Sequence, residues 1–424
     1  MQLHNMRLVV LDDDESITDF IATVARECGW EAETATEELA FRTLVRAMPP
    51  DAILLDLQLG ETDGIEQLHF LHSVSYGGAI VLMSGFDARV LASAQHIGES
   101  LGLRIAALIE KPAGSAEIRD VIMTIGRSVG TMPIRAAEAT YDAVEAGADD
   151  ISAHHVGEAI GAGHMELHLQ PIVAAAGHGL ISAEALIRWR DPVRGLLPPD
   201  RFVPVAETDE RVIDQMTMWA VQTGAAQYRR LAKLGSAIRI FINISGRNLR
   251  SLDFPDRMAA LRERMAVPND AIGLEITESV AMEDLDVTES VLTRLRLKGF
   301  PVALDDFGTG HSSLTALRRM PFSAIKIDKS FVGELQTSSD SFTIVKSVIQ
   351  LAHDMRLESV AEGVENAEVA RLLTELGIDH LQGYYFSPPR PFASFTAWLD
   401  GWPRGTAPDP DLDQVRSATS IVTG

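Results

Sequence analysis

The chain contains 424 residues, of which 46% are hydrophobic and 23% are charged. This length and composition indicate a globular protein of two or three domains and exclude a disordered or fibrous chain. Sixty acidic residues against 37 basic ones give a formal net charge of −23, which disfavours DNA and anionic membranes as partners. One cysteine, Cys28, excludes an internal disulfide, and no apolar stretch approaches the ~20 residues that span a bilayer. With no signal-peptide pattern at the start, we expect a cytoplasmic protein.

Five short β-rich runs, each followed by an amphipathic helical pattern, occupy the amino-terminal part of the chain. They are RLVVL, WEAETA, DAILL, AIVLM and RIAALI. Alternation of this kind predicts a parallel sheet covered by helices on both faces. We therefore predict a flavodoxin-like, doubly wound α/β domain over residues 1–128. The Ala-rich, acidic stretch 129–150 is interpreted as a partly helical linker.

Polar residues follow four of these five runs. Asp12 and Asp13 follow the first run, Asp56 ends the third, Ser84 follows the fourth, and Lys111 follows the fifth. The carboxyl ends of parallel strands meet at one edge of the sheet, so these groups are expected to converge on Asp56. Clustered carboxylates repel one another unless a cation lies among them.

This arrangement resembles the receiver domain of bacterial two-component response regulators, over roughly residues 6–126. The resemblance implies that Asp12 and Asp13, with help from Asp56, bind one Mg²⁺. Asp56 would be the phosphoacceptor for a sensor histidine kinase. The residues that respond to the added phosphoryl group would be Ser84 and Lys111.

Two departures from the receiver pattern concern how the domain would respond to phosphorylation. Leu108 stands where the family usually has an aromatic residue, and the loop GETDG after Asp56 lacks a common Pro. The alternative interpretation is that Asp13 and Asp14 only cap the following helix and that Lys111 is a solvated loop charge. That alternative explains each residue separately but not their joint placement after different strands.

Longer-spaced alternation predicts a second domain over residues 151–400. Its strand-like runs are LISAEAL, IRIFINIS, IGLEITE, PVALDD, AIKID, LESVAE and DHLQG. Seven or eight βα units in this length predict a (β/α)8 barrel of the TIM type, with the chemistry on the loops that follow the strands. Residues 401–424, rich in Pro, Asp, Ser and Thr, are predicted to be a flexible tail.

The polar residues at the ends of these later runs are nearly all carboxylates or amides. They are Glu184, Asn243, Glu275, Asp305, Asp306, Lys326, Glu362 and Gln382. In a barrel the strand ends converge on one mouth, and this set supplies oxygen ligands for hard divalent cations such as Mg²⁺ or Mn²⁺. Two cations about 3.5–4 Å apart are a common arrangement for water attack on phosphorus, and adjacent aspartates suit bridging between them.

Eight motifs in this domain match the EAL family of cyclic di-GMP phosphodiesterases, in the family's order. They are LQPIV (169–173), EALIRW (184–189), FINIS (241–245), EITES (275–279), DDFGTGHSSL (305–314), KIDKSFV (326–332), AEGVE (361–365) and QGYYFS (382–387). The resemblance implies hydrolysis of cyclic di-GMP to linear pGpG at two metal ions.

The resemblance also implies roles for single residues. One metal ion would be bound by Glu184, Asn243, Glu275 and Asp305, and the second by Asp305, Asp306 and Glu362. Lys326 would orient or help deprotonate the attacking water. The residues implied to contact substrate are Arg188, Gln170 and Gln382, and those implied for a mobile active-site loop are Glu278, Gly308 and Gly310. Asp328 is interpreted as structural, and His311 as a loop residue where the family most often has Tyr.

Three functions therefore remain open. The first is a cyclic di-GMP hydrolase regulated by phosphorylation of Asp56. The second is a sensor that binds cyclic di-GMP without cleaving it, although no metal ligand is missing here. The third is a scaffold response regulator that acts through protein contacts. The chain has no recognisable DNA-binding module, and the resemblance suggests a homodimer.

Overall fold

The computed structural model describes residues 6–60, 62–85, 88–128, 151–282, 284–308 and 313–402. The chain divides into two compact units. The first comprises Met1–Ala148, Asp284–Gly299 and Thr315–Pro321, and the second comprises Asp149–Glu283, Phe300–Leu314 and Phe322–Gly424. The predicted linker at 129–150 and the tail after residue 402 lie outside the described residues.

The amino-terminal region forms a sheet surrounded by helices. Its strands are β1 (Arg7–Leu11), β2 (Glu31–Ala35), β3 (Ala52–Asp56), β4 (Gln58–Leu59), β5 (Thr62–Asp63), β6 (Ala79–Ser84) and β7 (Arg104–Glu110). Its helices are α1 (Glu15–Glu27), α2 (Glu38–Ala47), α3 (Gly64–Ser73), α4 (Ala88–Ser100) and α5 (Ser115–Ser128).

The main sheet has the strand order β2-β1-β3-β6-β7, and every pair is parallel. Each face of the sheet is covered by an apolar cluster: Val9 and Leu11 belong to one cluster, and Leu8 and Val10 belong to the other. Burial on both faces explains why β1, β3 and β6 are nearly continuous apolar runs. The doubly wound α/β prediction is confirmed.

The carboxyl-terminal region is built from a larger sheet. Its strands are β8 (Met165–Ala174), β9 (Leu180–Asp191), β10 (Gly195–Leu197), β11 (Arg239–Asn243), β12 (Ile272–Thr277), β13 (Val302–Phe307), β14 (Ala324–Ile327), β15 (Glu358–Ala361), β16 (His380–Gln382) and β17 (Arg390–Pro391). Strands β9, β11 to β16 and β8 follow one another, and the pairing of β8 with β9 closes an eight-stranded barrel.

Helices follow most of the barrel strands along the chain. They are α6 (Ala153–Gly161), α7 (Val203–Ala206), α8 (Glu210–Lys233), α9 (Gly246–Leu249), α10 (Phe254–Met265), α11 (Glu278–Ala281), α12 (Leu285–Leu297), α13 (Ser313–Arg319), α14 (Lys329–Gly333), α15 (Ser339–Asp354), α16 (Ala367–Glu375) and α17 (Phe392–Asp400), with a 3₁₀ helix at Pro199–Arg201. Throughout the described ranges, no helix combines the length and the apolar character needed to cross a membrane.

The barrel is confirmed with one difference from a regular βα repeat. The seven predicted runs are β9 and β11 to β16, but the eighth strand, β8, is antiparallel to both neighbours. Only residues 175–179 separate β8 from β9. A parallel connection needs a crossover of about a dozen residues or more, so this short hairpin forces the antiparallel pairing.

Ordered packing continues past residue 400, where the flexible tail was predicted to begin. Trp402 is buried, and its ring lies 4.7 Å from that of Trp398. Its indole Nε1 donates a hydrogen bond to the carbonyl of His178 at 3.0 Å. The packed region therefore extends at least to Trp402.

Candidate functional site

A buried lysine lies at the centre of the barrel mouth. Lys326, on β14, is 1% exposed. Its Nζ lies 2.6 Å from Glu362 Oε1, 2.7 Å from Glu275 Oε2, and 3.2 Å from both Glu184 Oε2 and Asp305 Oδ1. The structure therefore brings five of the predicted residues into direct contact.

Strand register explains why these residues meet. Asn243 of β11 lies opposite Glu275 of β12, and Thr277 of β12 lies opposite Asp305 of β13. Alternate residues of a strand point to the same face, so these polar side chains enter the barrel at its carboxyl end. Asn243 Nδ2 also donates a 2.8 Å hydrogen bond to Glu184 Oε1, which fixes that carboxylate.

Two glutamines support Glu184 from the other side. Gln382 Nε2 donates to Glu184 Oε2 at 2.7 Å and to Gln170 Oε1 at 3.2 Å. Gln170 Nε2 donates to the carbonyl of Ser387 at 3.3 Å. In this structure Gln170 is buried with its oxygen and nitrogen both hydrogen-bonded, so it positions Gln382.

An acidic cluster beside Lys326 has the ligand spacing of a cation site. Asp305, Asp306 and Glu362 each offer a carboxylate oxygen, and these oxygens lie within 4.8 Å of one another. Asp306 has a φ of 55°, an uncommon backbone conformation for a residue other than glycine. Among the described residues, Glu275 Oε1 and Gln382 Oε1 are buried without a hydrogen-bond partner. Buried oxygens without donors suit additional cation ligation.

The protonation of this cluster reflects crowded negative charge. Burial, followed by the charges of Asp305 and Asp328, raises the pKa of Asp306 to about 6. Burial also raises the pKa of Glu362 to about 8, although Lys326 opposes the shift. Burial raises the pKa of Glu275 well above its usual value. The carboxylates therefore need more positive charge than Lys326 alone supplies.

The lysine itself keeps its proton. Burial alone would lower the pKa of Lys326, but Asp305, Glu184, Glu275 and Glu362 together raise it well above the usual value. An ammonium that donates to carboxylates cannot also accept a proton. This environment therefore favours a Lys326 that orients the attacking water by a hydrogen bond, and disfavours a Lys326 that removes a proton from that water.

A cleft of about 660 Å³ opens beside the acidic cluster. Asn243 and Asp306 line it at the mouth, and Pro199, Val203 and Met216 supply apolar wall. This volume lies in the range typical of small-molecule pockets, about 300–1,000 Å³. Sequence analysis missed these wall residues, which lie in the helices between β10 and β11. Apolar residues in such helices look the same whether they line a cleft or only fill the core.

Arg188 and the loop residues lie on elements that lead into the mouth. Arg188 is four residues after Glu184 on β9, which places both on the same strand face. Gly308 has a φ of 102°, and a Cβ there would lie 2.9 Å from Phe331, so glycine is required. Glu278 is buried at the start of α11. Gly310 and His311 lie outside the described residues.

Asp328 has a structural position. It is the N-cap residue of α14, and its Oδ1 accepts a hydrogen bond from the Ser330 backbone N–H at 3.0 Å. Its side chain is buried. Such a cap satisfies a backbone donor that the first turn of a helix leaves unpaired.

A second acidic cluster lies at the edge of the amino-terminal sheet. Carboxylate oxygens of Asp12, Asp13 and Asp56 lie within 4.8 Å of one another. Lys111 Nζ lies 2.6 Å from Asp12 Oδ2 and 3.1 Å from Asp56 Oδ2. Burial raises the pKa of Asp56 to about 7 despite Lys111. The predicted convergence on Asp56 is thus present, with the spacing of a cation site.

The residue that caps helix α1 is different from the residues that form this acidic cluster. Asp14, not Asp13, caps α1 by accepting a hydrogen bond from the Ser16 backbone N–H at 2.8 Å. Ser84 is buried at the end of β6, and Leu108 on β7 is 36% exposed. Asp13 therefore belongs to the acidic cluster rather than to the helix cap.

Known families match both regions. Residues 154–389 match the EAL domain, and residues 8–123 match the response regulator receiver domain. The matched ranges coincide with the barrel and with the five-stranded parallel sheet. Each acidic cluster thus lies within one matched domain.

Individual relatives carry similar domains. The chain is 31% identical over 404 residues to the cyclic di-GMP phosphodiesterase RocR of Pseudomonas aeruginosa, covering 94% of this chain and 100% of RocR. It is 37% identical over 245 residues to the cyclic di-GMP phosphodiesterase NbdA of the same species, covering 58% of this chain and 31% of NbdA. The solved structure of the PaMucR phosphodiesterase in complex with c-di-GMP is 35% identical, with a TM-score of 0.54, covering 57% of this chain and 98% of that one.

Proposed function

The chain belongs to the EAL domain family and carries a receiver domain, and we propose that it is a cyclic di-GMP phosphodiesterase regulated by phosphorylation of Asp56. One observation carries this proposal. Lys326 contacts four carboxylates at the barrel mouth. Beside it lie the cluster of Asp305, Asp306 and Glu362, whose oxygens have the spacing of cation ligands, and a cleft of about 660 Å³. The residues that the family resemblance implies for the metal ions and the water, including Glu184, Glu275 and Lys326, are all present at this mouth.

The charge balance of the mouth supports two divalent cations. When all five carboxylates (Glu184, Glu275, Asp305, Asp306 and Glu362) are ionised, they leave four negative charges beyond the ammonium of Lys326. Two Mg²⁺ or Mn²⁺ ions would neutralise these charges and displace the protons that burial otherwise retains. The residues that would hold one ion are Glu184, Asn243, Glu275 and Asp305, and those that would hold the other are Asp305, Asp306 and Glu362. When bound, such ions make water more acidic and offset the charge that builds on the phosphodiester oxygens.

The chain's own residues would orient the reactants. Lys326, held by Glu275 and Glu362, would donate a hydrogen bond to the attacking water and aim its oxygen at phosphorus. A new P–O bond forms from water, the bond to the ribose 3′ oxygen breaks, and that oxygen takes a proton. Arg188 would bind a phosphate oxygen with its planar donors. The product is linear pGpG.

The receiver site supports the regulatory part of the proposal. A sensor histidine kinase would transfer a phosphoryl group to Asp56, breaking a P–N bond on the kinase and forming a P–O bond to the carboxylate. Asp12 and Asp13, with Asp56, would hold one Mg²⁺ that offsets the phosphoryl charge. Ser84 and Lys111, at the ends of β6 and β7, would bind the new oxygens.

Two further parts of the proposal concern the state of the protein in the cell. Family membership suggests a homodimer, which sedimentation of the full chain would test. The single cysteine and the nucleotide substrate are consistent with a cytoplasmic location.

Hydrolysis in ¹⁸O-labelled water tests the proposed chemistry. Purified full-length chain with Mg²⁺ should convert cyclic di-GMP into pGpG that carries one ¹⁸O atom on its terminal phosphate. The Glu184→Gln variant should give much less labelled product at the same Mg²⁺ concentration. Tight binding of cyclic di-GMP without any product would contradict the enzyme and favour the sensor.

A further inference from the structure

Helix α12 buries a polar face. Glu289, Ser290, Thr293 and Arg294 on this helix are each 4% exposed or less. Surface helices ordinarily turn such residues toward water, and charged side chains are rarely buried without partners. Within the first compact unit, the elements that cover this face are α3 and α4.

A buried ion pair joins α12 to the start of α3. Arg294 Nε donates to Asp63 Oδ2 at 2.8 Å, and both residues are almost inaccessible to water. Lys298 Nζ lies 3.6 Å from the same Asp63 oxygen. Asp63 is also the N-cap of α3, because its Oδ1 accepts a hydrogen bond from the Glu66 backbone N–H. Arg294 therefore contacts the residue that fixes where α3 begins.

Further contacts hold the same helix along its length. Glu289 Oε2 lies 2.9 Å from His96 Nδ1 of α4, and His69 Nε2 of α3 lies 3.0 Å from Ser290 Oγ. Burial lowers the pKa of His69, so this ring is neutral near pH 7. Leu297 belongs to the same apolar cluster as Ile65. The α12 face is thus part of a packed core.

Segment 315–321 is tied to α4 in the same unit. Ser93 Oγ donates to the Arg319 carbonyl at 2.8 Å, and Arg89 Nη1 donates to the Leu317 carbonyl at 3.3 Å. Arg319 Nη2 also lies 2.7 Å from Glu289 Oε2. These bonds link the end of α13 to both α4 and α12.

The start of α3 is in close contact with the phosphoacceptor's backbone. A Cβ built on Gly64 would lie 2.7 Å from Leu57 Cα and 2.8 Å from the Asp56 carbonyl oxygen. Only glycine allows this approach, because any side chain would force the two backbones apart. A shift of the backbone at Asp56 must therefore displace the start of α3, where Asp63 is the N-cap.

Chain connectivity links the other end of this path to the catalytic strands. Helix α12 lies between β12, which carries Glu275, and β13, which carries Asp305. Helix α13 begins five residues after Gly308. Helix α12 thus follows β12 in the chain after the short α11, and α13 follows β13, so both helices come after strands that carry proposed metal ligands.

We propose that the Asp63–Arg294 pair is the connection through which the state of Asp56 changes the hydrolytic rate. The inference deepens the proposed function, on which its catalytic readout rests. Phosphorylation displaces the Asp56 backbone where Gly64 packs against it, Asp63 moves with Gly64, and Arg294 passes the shift to α12. Packed interfaces of this kind switch between discrete arrangements, so a small displacement is sufficient.

Arg294→Gln tests the connection in the full-length chain, with beryllium trifluoride and Mg²⁺ as a stable mimic of the phosphoryl group. In the unaltered chain the mimic should change the hydrolysis rate by about fivefold or more, as expected for allosteric coupling. It should also change hydrogen exchange in residues 285–297. Both responses should disappear in Arg294→Gln, while hydrolysis without the mimic continues. Lys298 stays near Asp63 and compensates the lost charge.

Arg257→Gln is the matched control. Arg257 makes a bidentate pair with Asp214 at 2.7 and 2.8 Å, within the second unit. This variant should keep both responses. If Arg294→Gln does not fold, the double variant Asp63→Asn with Arg294→Gln removes both charges together and should also lose the responses.

The outcomes separate this inference from the proposed function. A folded Arg294→Gln chain that keeps the full response of rate and exchange would overturn the inference, as would an unaltered chain in which the mimic changes neither. If the chain shows no hydrolysis but the mimic still changes α12 exchange in a way that Arg294→Gln abolishes, the phosphodiesterase is refuted while the path from Asp56 through Asp63 and Arg294 to α12 is kept.

Discussion

Lys326 Nζ and Glu275 Oε2 lie 2.7 Å apart, both 1% exposed, at the point where the barrel strands converge. A buried ammonium of this kind is stable only because carboxylates surround it. Replacement by Met would leave those carboxylates without their internal cation. The free energy of unfolding should fall by about 3–5 kcal/mol when metal is absent.

The same Lys326→Met variant should lose most of its activity. Loss of one preorganised hydrogen-bond donor at a reacting centre typically lowers rates about 10²–10³-fold. Lys329→Met, three residues later on an exposed position, is the control and should keep the rate. Steady-state rates with saturating Mg²⁺ measure both variants. Equal rates in the two would remove Lys326 from the mechanism.

Glu184→Gln should weaken metal binding as well as lower the hydrolysis rate. The amide retains much of the shape and one acceptor but loses the charge that a divalent cation requires. The Mg²⁺ concentration for half-maximal activity should rise more than about tenfold, since even outer partners of metal ligands are worth 10–100-fold. Glu166→Gln, outside the mouth on β8, is the control. An unchanged metal requirement in Glu184→Gln would refute direct ligation.

Metal binding should strengthen as pH rises. The pKa values of Asp306 and Glu362 are raised to about 6 and about 8, so both carry protons over part of the physiological range. A cation binds the ionised carboxylates and must displace these protons. Mn²⁺ titrations by calorimetry in buffers of different ionisation enthalpy should show proton release and higher affinity at higher pH. Affinity independent of pH between 6 and 8 would contradict this assignment.

The same shifts predict how the metal-free chain responds to pH. Glu362 binds a proton more tightly in the folded chain than in the unfolded one, whose pKa is near 4.5. Folding stability from this group is therefore present below pH 4.5 and is lost as pH rises through about 8. Thermal melts in EDTA should show a falling melting temperature over that window, and Mg²⁺ should reverse the fall. A flat profile in EDTA would argue against the raised pKa.

Asp56→Asn should abolish any response to a phosphodonor. The amide cannot accept a phosphoryl group, but its oxygen can still accept a hydrogen bond from Lys111, so folding should be kept. Hydrolysis rates with and without acetyl phosphate measure the response. Lys111 provides a second check, because Lys111→Met should accept the phosphoryl group yet respond weakly. A phosphodonor effect that persists in Asp56→Asn would place the control elsewhere.

Much of the fold could be predicted because its signals are local. The runs RLVVL and AIVLM are apolar throughout, since both faces of β1 and β6 are buried, and that pattern alone indicates a parallel sheet. The direction of β8 could not be read from its residues, because a strand's periodicity is the same in either direction. Only the shortness of the connection 175–179 indicates that β8 and β9 are antiparallel.

The site was predictable where chemistry requires particular side chains. Glu184, Glu275 and Lys326 occupy strand ends, and few other roles explain carboxylates and a lysine there. The supporting role of Gln170 depends on its contact with Gln382, 212 residues away, which no local pattern reveals. The burial of Arg294 likewise depends on Asp63, 231 residues distant. In the sequence, Arg294 therefore cannot be distinguished from a charged residue on the exposed face of a helix.

The most direct test of the central claim is chromatography of the products formed from cyclic di-GMP by the full-length chain, with Mg²⁺ or with EDTA. Our account predicts linear pGpG with Mg²⁺ and unchanged cyclic di-GMP with EDTA. Cyclic di-GMP that stays intact in the presence of Mg²⁺, even when bound, would contradict it.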